Sequence, residues 1–354
     1  MARASSFAAR VIAWQRQHGR HDLPWQNTRD AYRIWVSEIM LQQTQVAAVI
    51  GYYARFLERF PDVASLAHAP QDEVMRYWAG LGYYSRARNL HKAARIVVDQ
   101  WRGVMPAAPD ELITLPGIGR STAAAIAVFA HGTRAAILDG NVKRVMARHF
   151  GVEGYPGEKK VEESLWERVS GLLPKTGAEA YTQGLMDLGA TLCTRAKPNC
   201  GACPLQSGCI AYRDNRVAEL PQRKPKKALP HRSCVMLVLL RGREVLLEKR
   251  PSSGIWGGLW CLPQFDTEAQ ARQWAGEKCI DWRSVQRLDA IEHGFTHYHL
   301  TIGPIVLAMA ARGTQHLAAS LAAVQDATWL SLDGAANAAL PAPVKKLILN
   351  LAAA

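Results

Sequence analysis

Two carboxylates, a glycine hairpin and four cysteines are the groups in this chain whose types and spacing could do chemistry. Glu38 lies in Trp35-Val36-Ser37-Glu38-Ile39-Met40-Leu41-Gln42-Gln43-Thr44-Gln45. At about 100° per residue it shares a helix face with Ile34, Leu41, Gln42 and Gln45. An acid on a partly apolar face is desolvated, its pKa rises, and it becomes suited to general-acid work. A plain surface glutamate fits the periodicity equally, but the glutamine cluster suggests groups that hydrogen-bond a polar ligand. Asp139 precedes Gly140-Asn141, where a helix from Val142 to Phe150 would begin. There a carboxylate accepts backbone N–H bonds and feels the helix dipole, and both favour its ionised form. An ordinary N-cap occupies the same position. Cys193-x6-Cys200-x2-Cys203-x5-Cys209 is a metal-binding pattern. Zinc is the rival to an iron–sulfur cluster. Zinc usually takes two short-spaced pairs and only one pair here is close, so the spacing leans towards the cluster.

The elements that must position these groups centre on Leu112 to Phe150. Glu111 to Leu115 reads as a short helix, and Pro116-Gly117-Ile118-Gly119 as a tight turn that uses glycine's access to unusual backbone angles. Ser121 and Thr122 can cap a second helix that runs through the alanines to Ala130. Such a hairpin points the amides of Ile118 to Arg120 outwards at a helix N-terminus, which favours a phosphate. A glycine turn alone is commonly a plain connection. The turn argues against a dinucleotide fingerprint, because helix and not strand precedes it and the third glycine is missing. Arg120, Arg134, Lys143, Arg144 and Arg148 surround Asp139, the sole acid between Glu111 and Glu153, and that excess suits a polyanion.

Helical patterns continue at Arg33 to Val49, Tyr52 to Phe60, Gln71 to Ala79, Ser85 to Trp101, Lys159 to Leu172 and Ala178 to Leu188, with no strand between Ala8 and Leu188. Gly80-Leu81-Gly82-Tyr83-Tyr84 sets paired aromatics after glycines, for stacking on bases or for core packing. The stretch from Arg213 to Arg232 is basic, carries three prolines and reads as a linker. Beyond it the pattern changes to α/β. Strands are expected at Cys234 to Leu240, Val245 to Glu248, Phe295 to Ala308 and Ala327 to Leu332, with helices near Glu268 to Gly276 and at Val344 to Leu351. His293, His297 and His299 alternate on one strand face, but no cysteine or acid completes a metal site there.

The 354 residues allow two domains, and 49% hydrophobic residues allow a sizeable core. A formal net charge of +13 implies an acidic partner. A membrane is the weaker choice, because the apolar runs are too short to span one. Arg3, Arg10, Arg16 and Arg20 precede the first acid, as in a transit peptide, but the helical spacing of Phe7, Val11 and Trp14 marks the first helix of the fold. Seven cysteines, four of them clustered, point to a reducing compartment.

Taken together, the chain resembles the MutY-type adenine DNA glycosylases of the helix-hairpin-helix superfamily. The matching segments are LPWQ at 23–26, VSEIMLQQTQV at 36–46, GLGYYSRARNLHKAA at 80–94, LPGIGRSTAAAI at 115–126, ILDGNVKRV at 137–145, the cysteine pattern, WGGLWCLPQF and FTHYHL. The resemblance implies a mainly α helix-hairpin-helix glycosylase domain with a cluster loop, followed by a C-terminal α/β Nudix-like domain. The expected boundaries are 1–212 for the helical catalytic region, with the hairpin near 112–131 and the cluster loop at 193–209, 213–232 for the linker, and 233–354 for a lesion-recognition domain. It implies base-excision repair of double-stranded DNA holding adenine opposite 8-oxoguanine or guanine, by a cytoplasmic, nucleoid-associated monomer. Glu38 would protonate adenine, Asp139 would stabilise the sugar cation, and Asn141 would position sugar and water. Trp25, Leu41 and Gln183 would line the adenine pocket, and Gln43 and Tyr83 would fill the duplex. Gly117, Gly119 and Ser121 would meet the backbone. Phe295, Thr296 and His297 would read the lesion, and Cys193, Cys200, Cys203 and Cys209 would hold a [4Fe–4S] cluster. Ser121 stands where lyase relatives have a lysine, so a monofunctional enzyme is expected. The acids after Gly258 do not form the Mg²⁺-binding pattern of Nudix hydrolases. Two rivals remain: a pyrophosphohydrolase of oxidised nucleotides, and a cluster-based DNA sensor that releases no base.

Overall fold

The computed structural model describes residues 6–224, 228–309 and 326–353. Arg3 and positions 225–227 of the expected linker lie outside them. The chain divides into two compact units, residues 1–68 with 89–226, and residues 69–88 with 227–354.

The first unit is helical throughout. Its elements are α1 (Phe7–His18), α2 (Ala31–Leu41), α3 (Val46–Arg59), α4 (Val63–His68), most of α6 (Ser85–Trp101), α7 (Pro109–Leu112), α8 (Arg120–His131), α9 (Gly140–Phe150), α10 (Lys159–Gly171), α11 (Ala178–Asp187) and α12 (Ile210–Arg213). Its core joins Phe7 and Val11 of α1 to Ala124 and Ala125 of α8, Val142 and Met146 of α9, and Tyr181 and Leu185 of α11. The small alanine side chains let α8 pack on α2. The single helix expected from Arg33 to Val49 is two helices. Gln43 takes a left-handed backbone, φ 56°, which no helix interior accommodates. Gln45 therefore belongs to the next element and shares no helix face with Glu38. Between positions 213 and 224 the expected linker is packed. Leu220 is buried and its carbonyl accepts from Arg148 Nε at 2.8 Å, while Gly154 N donates to Gln222 Oε1 at 3.1 Å.

The second unit holds α5 (Gln71–Trp78), with the loop leading into α6, and a mixed sheet. Its strands are β1 (His231–Arg241), β2 (Glu244–Lys249), β3 (Trp260–Cys261), β4 (Gln264–Phe265), β5 (Gln286–Arg287), β6 (Ile291–Gly294), β7 (His299–Ala308) and β8 (Ala327–Ser331). The main path runs β3-β2-β1-β7-β5. β1 and β7 lie parallel, Leu237 opposite Ile305, and their near-continuous apolar runs suit burial on both faces. Leu237, Leu239, Leu246, Ala275 of α13 (Glu268–Glu277), Ile305 and Leu307 form the core. Helices α14 (Leu332–Ala336) and α15 (Ala342–Ala353) follow β8. The strand expected from Phe295 is shorter: residues 295–298 form the turn between β6 and β7, closed by Phe295 N donating to Tyr298 O at 2.9 Å. His297 therefore leaves the strand, and the alternating histidine face does not form.

Candidate active site and cluster loop

A cavity of about 470 Å³ opens in the first unit, within the roughly 300–1,000 Å³ common for small-ligand sites. Trp25, Glu38, Leu41 and Gln183 all line it, together with Ile34, Val46, Phe129 and Met186. Three separate segments thus bring together residues that the sequence left far apart. Trp25 is buried and held edge-on by Tyr53, with ring centres 5.5 Å apart. Gln183 is fixed from below, its Nε2 donating to Asp187 Oδ1 at 2.8 Å.

Glu38 projects from the middle of α2, and burial pushes its carboxyl up to about 7, with the charge of Asp139 raising it further. Asp139 is the N-cap of α9. Val142 N donates to its Oδ1 at 2.8 Å, and Asn141 Nδ2 to its Oδ2 at 3.3 Å. These bonds and the charge of Arg144 pull its pKa down, as expected, but burial outweighs them and the net direction is upward. Glu38, raised to about 7, keeps its proton to neutral pH.

Asn141 is oriented by Arg144, whose Nη2 donates to its Oδ1 at 2.8 Å and to Gly189 O at 2.7 Å. Gly189 sits so close that a Cβ there would stand 2.5 Å from Asn141 Cβ, so this approach needs glycine. The spacing of Asn141 and Arg144, three apart on α9, was visible in the sequence, but the bend that brings Gly189 to them was not.

The hairpin forms with α7 ending earlier than expected, at Leu112. Gly117 adopts φ 83° and a Cβ there would meet Asn89 Cβ at 2.9 Å, whereas a Cβ at Gly119 would meet nothing within 4 Å. Gly119 is the N-cap of α8 and no side chain caps this helix. Ser121 and Thr122 do otherwise than expected. Ser121 Oγ accepts from Leu138 N at 3.0 Å, which ties the hairpin to the segment leading into Asp139, and Thr122 Oγ1 accepts from Gln42 Nε2 at 3.4 Å. The first amides of α8 thus stay available to an anion.

Cys193, Cys200, Cys203 and Cys209 line one small cavity with Arg148. Arg148 Nη1 donates to Cys193 Sγ at 3.3 Å and to Thr194 O at 2.8 Å. Burial, with the charges of the neighbouring cysteines, pushes the thiol of Cys203 up to about 11, and those of Cys200 and Cys209 also rise. Three thiols raised in this way, with Cys193 beside them in the same cavity, fit a cationic centre that would relieve them. Among the described residues no three His, Cys, Asp or Glu side chains stand in ion-binding geometry.

Gln43 is exposed on the break between α2 and α3. In the second unit Tyr83 is 42% exposed with φ 47°, on a loop pinned by Arg86 Nη2, which donates to Leu81 O and Gly82 O. Phe295 sits among Trp256, His293 and Tyr298, while Thr296 and His297 are exposed at the tip of the turn.

Comparison with known proteins agrees with this arrangement. Residues 36–170 match the HhH-GPD superfamily of base excision DNA repair proteins, and residues 234–350 match the NUDIX domain. An adenine DNA glycosylase of Buchnera aphidicola from Acyrthosiphon pisum is 36% identical over 97% of both chains. That of Mus musculus is 33% identical over 98% of this chain and 78% of its own. Among solved structures, a thermostable thymine-DNA glycosylase superposes with a TM-score of 0.54 and 31% identity, covering 59% of this chain and 95% of that one. With near-complete coverage at that identity, and a hairpin domain followed by a NUDIX domain, the chain belongs to the adenine DNA glycosylase family.

Proposed function

We propose that this chain excises adenine mispaired with 8-oxoguanine or guanine from double-stranded DNA, as a monofunctional glycosylase acting as a monomer at the cytoplasmic nucleoid. The observation that carries the reading is Glu38: a carboxyl raised to about 7, lining a cavity with an aromatic ring and an amide, and raised in part by the charge of Asp139. A base inside a duplex is out of reach, so the nucleotide must be extruded into the cavity, at a cost of a few kcal/mol. Adenine then leaves as a neutral base if Glu38 delivers its proton. The positive charge left on the sugar is opposed by Asp139, and Asn141, fixed by Arg144, positions the sugar and the attacking water. No lysine stands at the hairpin position of Ser121, so no Schiff base forms there and the backbone stays intact.

The uncapped N-terminus of α8 and the open face of Gly119 receive a backbone phosphate. Left-handed Gln43 and Tyr83 fill or wedge the duplex, and Phe295, Thr296 and His297 meet the 8-oxoguanine. Cys193, Cys200, Cys203 and Cys209 would hold a [4Fe–4S] cluster, which when bound would cross-link residues 193–209 and stabilise that loop against the DNA backbone. The reading is tested by incubating the protein with a duplex that carries one adenine opposite 8-oxoguanine, treating with alkali and resolving the strands. Cleavage at the adenine after alkali, and none without it, is expected. An intact strand after alkali would refute the reading.

A further inference from the structure

Behind two residues that line the cavity, Arg20 and Gln183, lies an ion pair that the chemistry just described does not use. Asp187, at the end of α11, is fully buried. Arg20 donates to it twice, from its backbone N to Oδ2 at 2.9 Å and from Nε to Oδ1 at 2.7 Å. One turn earlier on the same helix, Gln183 Nε2 donates to Asp187 Oδ1 at 2.8 Å. A carboxylate paired with a guanidinium accepts hydrogen bonds and donates none. Gln183 can therefore offer it only the amide nitrogen, and planarity leaves the amide oxygen to the cavity that Gln183 lines.

We infer that Asp187 is the positioning residue that makes Gln183 an obligate acceptor, so that the cavity admits purines with an amino group at C6 and opposes those with a carbonyl there. The inference rests on reading the cavity as the base pocket. A free glutamine can rotate its amide and satisfy either kind of group, so it selects nothing by itself. Held by Asp187, its oxygen accepts from an exocyclic amine, whereas a C6 carbonyl meets lone pairs facing lone pairs. Anchoring the Arg20 segment would not by itself require the bond to Gln183, which is why that bond is informative.

The experiment compares single-turnover base release from duplexes with adenine or hypoxanthine opposite 8-oxoguanine, using the full chain. Asp187→Asn can donate from its own amide, which lets Gln183 turn over and present Nε2. The adenine-to-hypoxanthine rate ratio should then fall by roughly ten-fold, while the adenine rate falls less. Should that buried variant fail to fold, Arg20→Met serves. Without its guanidinium the Asp187 carboxylate is no longer held in place, its bond to Gln183 loosens, and the ratio moves the same way. A proportional slowing on both bases, with the ratio unchanged, would overturn the inference. Gln183→Ala separates the two levels: its ratio should collapse, and in that background Asp187→Asn should change it no further. If Gln183→Ala keeps the wild-type ratio, the base-pocket reading fails as well; if only Asp187→Asn keeps it, the pocket stands and the inference alone is wrong.

Discussion

A carboxyl that holds its proton to about 7 makes two predictions at the scale of one residue. Base release should be steady at mildly acidic pH and fall as pH rises through about 7, as Glu38 loses the proton it must deliver. Glu38→Gln should bind the mispair yet lose roughly 10²–10⁴-fold in single-turnover rate; near-normal turnover would remove the general-acid role. The same burial costs stability. Unfolded, Glu38 ionises near 4.5, while folded it stays protonated to about 7, so the native state binds more protons across that window and its stability falls as pH rises. Glu38→Gln should therefore be more stable than the parent at pH 8, by about 1–3 kcal/mol after allowing for water in the cavity, and no more stable at pH 4. Thermal melts at the two pH values decide it. Asp139→Asn keeps a cap acceptor but not the charge, and should lose roughly 10²–10³-fold in rate. A fully active Asp139→Asn would leave the residue as a helix cap only.

At the scale of elements, the two hairpin glycines should separate folding from binding. Gly117→Ala forces a Cβ into a left-handed position 2.9 Å from Asn89, and should cost about 1–2 kcal/mol of stability. Gly119→Ala meets open space, so its melting should barely move while its affinity for duplex falls. The reverse pattern would place the DNA contact elsewhere. Much of this was legible in the sequence. Glycine spacing located the hairpin, α-helical periodicity gave most helices, and the switch to short apolar runs marked the sheet. What escaped depends on contacts between distant segments. No local signal shows that Gln43 turns left-handed and ends α2, or that Ser121 spends its hydroxyl on Leu138 and not on its own helix. The turn at Phe295 to Tyr298 hid inside a run with strand composition, because its closure is a single backbone bond. Asp187 carried no signal in the sequence, because the Arg20 that pairs with it lies 167 positions away.

Over the whole molecule, a chain ending at Lys224 keeps Glu38, Asp139, the hairpin, the cysteines and the packed Leu220, so adenine excision should survive. The preference for 8-oxoguanine over guanine opposite the adenine should drop several-fold to about a hundred-fold, the worth of one or two polar contacts, with Thr296→Ala losing part of it. An unchanged preference in the truncated protein would assign lesion reading to the helical unit. Iron analysis of the full chain should find about four atoms per protein; a single zinc would refute the cluster. The union of α1 with α11 has a further consequence, in time. At about 5–20 residues per second, roughly 8–35 s of synthesis separate these two helices. Throughout that interval Phe7 and Val11 have no Tyr181 or Leu185 to pack on, and Arg20 has no Asp187. Until then α1 leans on α8 and α9 alone, and a twelve-residue helix is marginal by itself in water, so a ribosome stalled before Ala178 clears the exit tunnel should leave Phe7–His18 more open to a protease than the finished chain does. One stalled after Asp187 has emerged should protect it, and only then does the young chain own a closed pocket.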